Sequence, residues 1–231
     1  LWAEFNDKYK ITREPNMSKD TVRQPDDLSG IYVAGHIKIF NPETGEVFIN
    51  KRNAIHYENI STALGYMLAN KGQNFIYEMH FGNGGTSVDP TGVITYLPPN
   101  TTGQSSNLYN ATYSKVVDDT AAANGNPAQN YIQVRHIPGQ VYTDILVSCL
   151  LDYSEPAGES AFDNSQTLTD TYTFDELGLF GRSTDGTSGL TTTGLMLTHV
   201  VFHPVQKSLN RLIQVDYTVR IQTLTNLSAI G

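Results

Sequence analysis

Residues 209–223 read LNRLIQVDYTVRIQT, in which Ile213, Val215, Tyr217, Val219 and Ile221 alternate with Gln214, Asp216, Thr218, Arg220 and Gln222. Alternation of period two sends every second side chain to one face, so this stretch predicts a long, half-buried β-strand with no Gly or Pro to interrupt it. Residues 143–153 repeat the pattern, with Ile145, Val147, Cys149 and Leu151 on one face. There Leu146 and Leu150 join Asp144, Ser148 and Asp152 on the other face, which predicts a strand partly covered on both sides. Further strands are predicted at 75–81 (FIYEMHF), 113–117, 131–137, 171–180 (TYTFDELGLF) and 194–202 (GLMLTHVVF), the last stopped by Pro204. Residues 31–50 predict a hairpin turning at Asn41-Pro42-Glu43-Thr44-Gly45, where Pro and Gly suit a turn.

One helix is predicted over residues 59–71. Ile60, Leu64, Met67 and Leu68 recur at helical spacing, Asn59 or Ser61 is placed to cap the start, and Gly72 follows as a stop. Its apolar stripe predicts a packing face against the sheet. Between the elements, 82–110 reads as a long polar loop, a type that is usually functional or intersubunit in a compact domain. Residues 118–130 (DDTAAANGNPAQN) read as a loop too polar and small to bury, and 154–170 and 181–194 as further loops. The fold class is therefore mainly β: an antiparallel β-sandwich of about eight or nine strands with one short α-helix and no βαβ rhythm. The implied organisation is an extended N-terminal arm over 1–30, a sandwich domain over 31–224 and a tail over 225–231. The arm carries two prolines and no sustained period, yet Trp2, Phe5 and Tyr9 are large apolar groups that need something to pack on, in this domain or in a neighbouring subunit.

Composition narrows the classes. The chain has 231 residues, 16% of them charged, and a net charge of -8. No basic face or Lys/Arg run offers phosphate neutralisation or a membrane surface, so neither nucleic-acid readout nor membrane binding is expected. No apolar run reaches the ~18 residues of a membrane span. The single cysteine, Cys149, lies in an apolar run and reads as a small buried hydrophobe in a reducing compartment.

Candidate chemistry is thin. His199 and His203 are four apart on a predicted strand, too far along an extended chain to share one metal ion, and read as structural or surface histidines. His36, His56, His80 and His136 show no ligand spacing. Asp118-Asp119 and Asp152/Glu155 read as solvated loop acids, and no calcium-loop run is present. Gly158-Glu159-Ser160-Ala161-Phe162 lacks the second glycine of a nucleophile elbow. The turn Gly82-Asn83-Gly84-Gly85 is not followed by Lys-Ser or Lys-Thr, so it reads as a loop needing positive φ and not as a phosphate cradle. The acceptor patterns at Asn59, Asn100, Asn110 and Asn226 read as chance matches. No catalytic residue, cofactor or metal is expected.

Three stretches in order carry a resemblance: Lys51-Arg52-Asn53-Ala54-Ile55-His56-Tyr57-Glu58-Asn59 and its helix; Met79-His80-Phe81-Gly82-Asn83-Gly84-Gly85-Thr86; and Phe174-Asp175-Glu176-Leu177-Gly178-Leu179-Phe180 with the two closing strands. The succession "RN-x-I", "FG-x-G", "E-x-GLF" over residues 35–223 resembles virion structural proteins of tailed bacteriophages. The resemblance implies a non-enzymatic structural component of the tail, collar fibre, neck or baseplate, made in the host cytoplasm and found in the virion. Such a protein assembles with itself as a homo-oligomer and with other virion proteins. A head decoration protein and a carbohydrate-binding or depolymerising module are the alternatives. On this reading the interface residues are Trp2, Phe5, Tyr9, Gly82, Gly84 and Glu176, with Glu176 paired or hydrogen-bonded if buried.

Overall fold

The computed structural model describes residues 30–71, 74–153, 155–156, 171–183, 189–190 and 194–224. The expected arm and tail, the Gly72 stop and the 158–162 stretch lie outside them. Among the described residues eleven strands run in chain order as β1 (Gly30–Phe40), β2 (Val47–Ile55), β3 (Ile76–Gly82), β4 (Thr86–Val88), β5 (Ile94–Tyr96), β6 (Ala111–Val116), β7 (Tyr131–His136), β8 (Tyr142–Leu151), β9 (Thr171–Gly181), β10 (Thr198–Ser208) and β11 (Ile213–Leu224). Among the described residues there is one helix, α1, spanning Tyr57–Leu68. Residues 32–222 form one compact unit, which holds the core and the site described below.

Nine strands form one curled antiparallel sheet in the order β6-β3-β9-β10-β2-β1-β11-β8-β7. The sheet bends where β10 meets β2 through only two residue pairs, Thr198↔Ile55 and His199↔Ala54. That seam divides it into two layers, whose inner faces share one core: Ile37, Ile39, Val147, Cys149, Val215 and Tyr217 from one, Met79, Phe81, Phe174, Leu177 and Phe202 from the other. Sandwich packing follows from the alternation in β8 and β11, which pair in register from Ile213↔Leu151 to Gln222↔Tyr142. Cys149 is enclosed there, and burial pushes its thiol up to about 12, so it is an inert hydrophobe.

Several expectations change in the structure. β10 does not stop at Pro204. Between Val201↔Glu176 and Val205↔Phe174 it carries two residues more than β9, so a bulge absorbs the proline that has no N–H to donate. Lys51 Nζ donates to the Val201 carbonyl there at 2.8 Å. The 82–110 segment is not all loop; it holds the β4–β5 hairpin. Residues 118–130 are not wholly exposed either. Asn124 and Asn130 are buried, with Asn124 Nδ2 donating to the Asp118 and Asn130 carbonyls and Asn130 Oδ1 accepting from Leu150 N–H at 2.9 Å. Glu155 is no solvated acid: it pairs with Lys115 and accepts from Asp152 N–H.

The helix departs furthest from its pattern. Its cap is His56, whose Nδ1 accepts from Asn59 N–H, and it ends where Asn70 takes φ 54°, the left-handed conformation that asparagine tolerates. Only Asn59 and Ala63 are buried, while Met67 and Leu68 are 44% and 84% exposed. Part of the predicted packing face therefore borders open space. No helix among the described residues is long and apolar enough to cross a membrane.

Lys207 is the least expected core residue. It is 1% exposed on β10, and its Nζ donates to the Ser208 carbonyl at 2.9 Å. Burial pulls its pKa down from 10.5 to about 8, against the opposing pull of Glu155 and Asp152. Between pH 8 and 10.5 the unfolded chain holds a proton that the folded chain has released, so stability rises with pH in that window. Lys207→Met is expected to raise stability by about 1–3 kcal/mol at pH 7, with the gain shrinking toward pH 10. Urea unfolding across that pH range measures it, and a gain independent of pH would contradict the assignment.

Candidate functional site

Five buried polar side chains, His56, Asn59, Asp175, Glu176 and His199, converge on one segment, the 83–110 loop. The convergence begins at the β3–β9 ladder, where Phe81↔Leu177 and Gly82↔Glu176 stand opposite each other. The "FG-x-G" turn and the "E-x-GLF" strand are thus direct neighbours. Glu176 is wholly enclosed, and an enclosed carboxylate is stable only when donors surround it. Its Oε1 accepts from Asn110 N–H at 2.8 Å and Gly84 N–H at 3.1 Å; its Oε2 accepts from Tyr109 N–H and His199 Nε2, both at 3.0 Å. Asn100 N–H donates to His199 Nδ1 at 2.8 Å, which places the lone pair on Nδ1 and the proton on Nε2. A neutral His199 therefore donates to an ionised Glu176.

Asp175 holds the next two residues of the turn. Its carboxylate accepts from Gly85 N–H and Thr86 N–H, each at 2.9 Å, and from the Thr86 hydroxyl. The two adjacent acids shift in opposite directions. For Asp175, burial wins and pushes the pKa up, with the Glu176 charge adding to it. For Glu176, burial pushes up as well, but the hydrogen bonds from His199, Asn110 and Tyr109 outweigh it and hold the group below its ordinary value.

The β2–α1 junction grips the loop from another side. His56 Nε2 lies 3.0 Å from the Gly103 carbonyl; Asn59 Nδ2 donates to the Gln104 carbonyl at 3.3 Å and to the Met196 carbonyl at 2.8 Å. Both side chains are fully buried. Asn59 is therefore a tether and not the predicted cap.

Gly82 and Gly84 make the close approach possible. A Cβ on Gly82 would lie 2.5 Å from both the Asn110 carbonyl oxygen and Glu176 Oε1, and one on Gly84 would lie 2.8 Å from Asn110 N. Neither has a positive φ, nor does Gly85, so the turn needs glycine for room and not for a left-handed backbone. Gly82 and Glu176 are buried and Gly84 half-buried, and the contacts described for them are with their own chain. Trp2, Phe5 and Tyr9 lie outside the described residues. His199 is buried while His203, beyond the bulge, is exposed, 3.2 Å from the Tyr96 hydroxyl.

Sequence reasoning singled out Glu176 but missed His56, Asn59 and His199 as its collaborators. A polar residue inside an apolar run, as in Leu197-Thr198-His199-Val200, was the available signal. The result is a loop fixed by five buried side chains that turns Val88, Val93, Tyr96, Leu97 and Tyr109 toward solvent. Among the described residues no group of three or more His, Cys, Asp or Glu is arranged to hold a metal ion. A second buried pair, His80 Nε2 to Glu78 Oε2 at 2.8 Å, lies on the same strand as Gly82, with His80 stacked on Phe180 at 4.0 Å. Comparison with known proteins found no matching family model, no matching curated protein and no matching solved structure.

Glu176→Gln is expected to cost about 2–4 kcal/mol, because an amide NH₂ would face donors in place of one acceptor oxygen. The parent's carboxylate contributes stability that is complete above its ordinary value of 4.5 and is lost as pH falls through its lower folded value. The variant's stability should therefore fall less steeply on the acid side. Thermal unfolding between pH 3 and 7 tests this, and parallel curves would refute it.

Proposed function

We propose that this chain is a non-enzymatic structural protein of a tailed-bacteriophage virion, in the tail, neck or baseplate region, assembling with copies of itself and with neighbouring virion proteins. One observation carries the reading. Apart from the helix and the last closing strand, β11, the stretches behind the family resemblance are scattered over more than a hundred residues yet fall on four consecutive strands, β3-β9-β10-β2. They also interlock through side chains: Glu176 of "E-x-GLF" holds Gly84 of "FG-x-G", and Lys51 beside "RN-x-I" holds β10. Asn53 of that first motif donates to the Tyr217 hydroxyl on β11.

The chemistry of the site agrees. The hydrogen bonds of Asp175, Glu176, His199, His56 and Asn59 go to backbone groups, to one another or, from Asp175, to the Thr86 hydroxyl, and their work is to hold a surface still. A fixed loop with exposed Tyr96, Tyr109, Val88 and Val93 loses little entropy when a neighbour covers it, which suits an adhesive contact repeated around a ring.

The test is to find the chain in its particle. Quantitative mass spectrometry and a cryo-EM map of purified virions should place several copies in the tail, neck or baseplate. Density on the head shell would make it a decoration protein instead, and absence from the particle would refute the proposal. Removing residues 1–29 should leave particles unassembled or lacking this chain; intact particles would show that the leading segment is not a fastener.

A further inference from the structure

The outer face of β2, β1 and β11 carries an open groove of about 330 Å³. Its polar lining is Tyr32 and His36 of β1, Arg52 of β2, and Thr218, Arg220 and Gln222 of β11. Register explains the grouping. His36 and Arg52 are cross-strand partners, and period two sends Thr218, Arg220 and Gln222 away from the buried Tyr217 and Val219. Two guanidiniums and an imidazole therefore share one depression, and among the described residues no carboxylate lines it. The chain as a whole has the opposite balance, with a net charge of -8. The two arginines differ in state. Arg220 is braced: its Nε and Nη2 donate to the Asp144 carboxylate at 2.7 and 2.8 Å, and it lies 4.0 Å from the centre of the Tyr142 ring. Its Nη1 stays outside that pair. Arg52 is exposed and makes no hydrogen bond or ion pair with a described residue.

We propose that this groove binds a small hydroxylated oxyanion, the chemical class of uronic acids and sugar phosphates. A guanidinium presents a planar fork that matches the oxygens of a carboxylate or phosphate, and the fork of Arg52 is free to do so. His36 stands directly across from it and supplies a further N–H. The hydroxyl and amide groups of Tyr32, Thr218 and Gln222 both donate and accept, as sugar hydroxyls require. Residues two apart on a strand are about 6.6 Å apart, so Thr218 and Gln222 flank Arg220 over the span of one sugar ring. The volume sits at the small end of ligand pockets, room for a single sugar unit. Protein–protein interfaces are depleted of charge at their centre, whereas the centre here is charged, which favours a small ligand over a docked protein. The inference goes beyond the structural reading and does not rest on it.

Amide NMR of the isotope-labelled full chain, titrated at low salt, tests this with glucuronate, glucose-6-phosphate, glucose and inorganic phosphate. Glucuronate or glucose-6-phosphate should shift amides of β1, β2 and β11 around the groove with a Kd on the order of 1 mM, and the tighter of the two names the oxyanion. Glucose should leave those amides unmoved. Arg52→Gln changes an exposed position without a partner, so it should keep the fold and weaken binding about tenfold or more. Lys71→Gln removes an exposed positive charge beyond α1 and should leave binding unchanged. The inference is overturned by no shift from either acid, by an equal response to glucose, or by an Arg52→Gln variant that binds like the parent or no worse than Lys71→Gln. Inorganic phosphate binding as tightly as the sugar acids would mean an adventitious ion only, and also overturns it. So does a glutamate-rich peptide that moves the same amides at lower concentration, which would make the groove a protein contact. The virion assignment fails separately, by absence from the particle, and none of these outcomes touches it.

Discussion

A carboxylate without access to water must find its donors inside the protein, and the fold around Glu176 is arranged to supply them. Three come from backbone N–H groups, Gly84 and the neighbouring Tyr109 and Asn110, and one comes from His199 on the adjoining strand. The four donors belong to three separate parts of the fold: the turn after β3, the return into β6, which supplies two, and the start of β10. One side chain therefore solves the backbone accounting of three segments at once. The glycines of the turn, the neutral state of His199 and the placing of the long loop all follow from that requirement. Removing the acid would leave buried N–H groups without partners, which is costlier than losing the bonds themselves.

The same logic explains how a long polar segment can belong to a stiff protein. Loops are usually mobile because water satisfies their polar groups as well as the protein does. Here Asp175, Glu176, His199, His56 and Asn59 take those groups away from water at both ends and in the middle. The exposed aromatic and branched residues of the loop then stand on a frame and keep their relative positions. Rigidity of this kind favours association, since less freedom remains to be lost.

Much of the fold was legible because period-two alternation is a local signal. The strands of residues 143–153 and 209–223 needed no long-range information, and their pairing gave the class. Pro204 misled because its effect depends on the partner strand: a bulge opposite Asp175 tolerates a proline that a regular ladder would not. The helix misled in another way. Spacing marks Ile60, Leu64, Met67 and Leu68 as a stripe, but spacing does not say how closely a sheet will approach it. For the site, Glu176 stood out as an acid among apolar neighbours, while its partners are 23 to 92 positions away and carry no local mark. His56 hid for a further reason, since histidine is an unusual cap and its second nitrogen serves a distant carbonyl.

The order of strands also governs when the protein can fold. β11, the last of the described strands in chain order, lies between β1 and β8, so both of those strands keep an open edge until it arrives. The chain visits each layer in alternation, and neither layer is built from one continuous stretch. Closure of the sheet must therefore wait for translation to pass residue 224, and until then the edges of β1 and β8 stay unpaired and exposed to wrong partners.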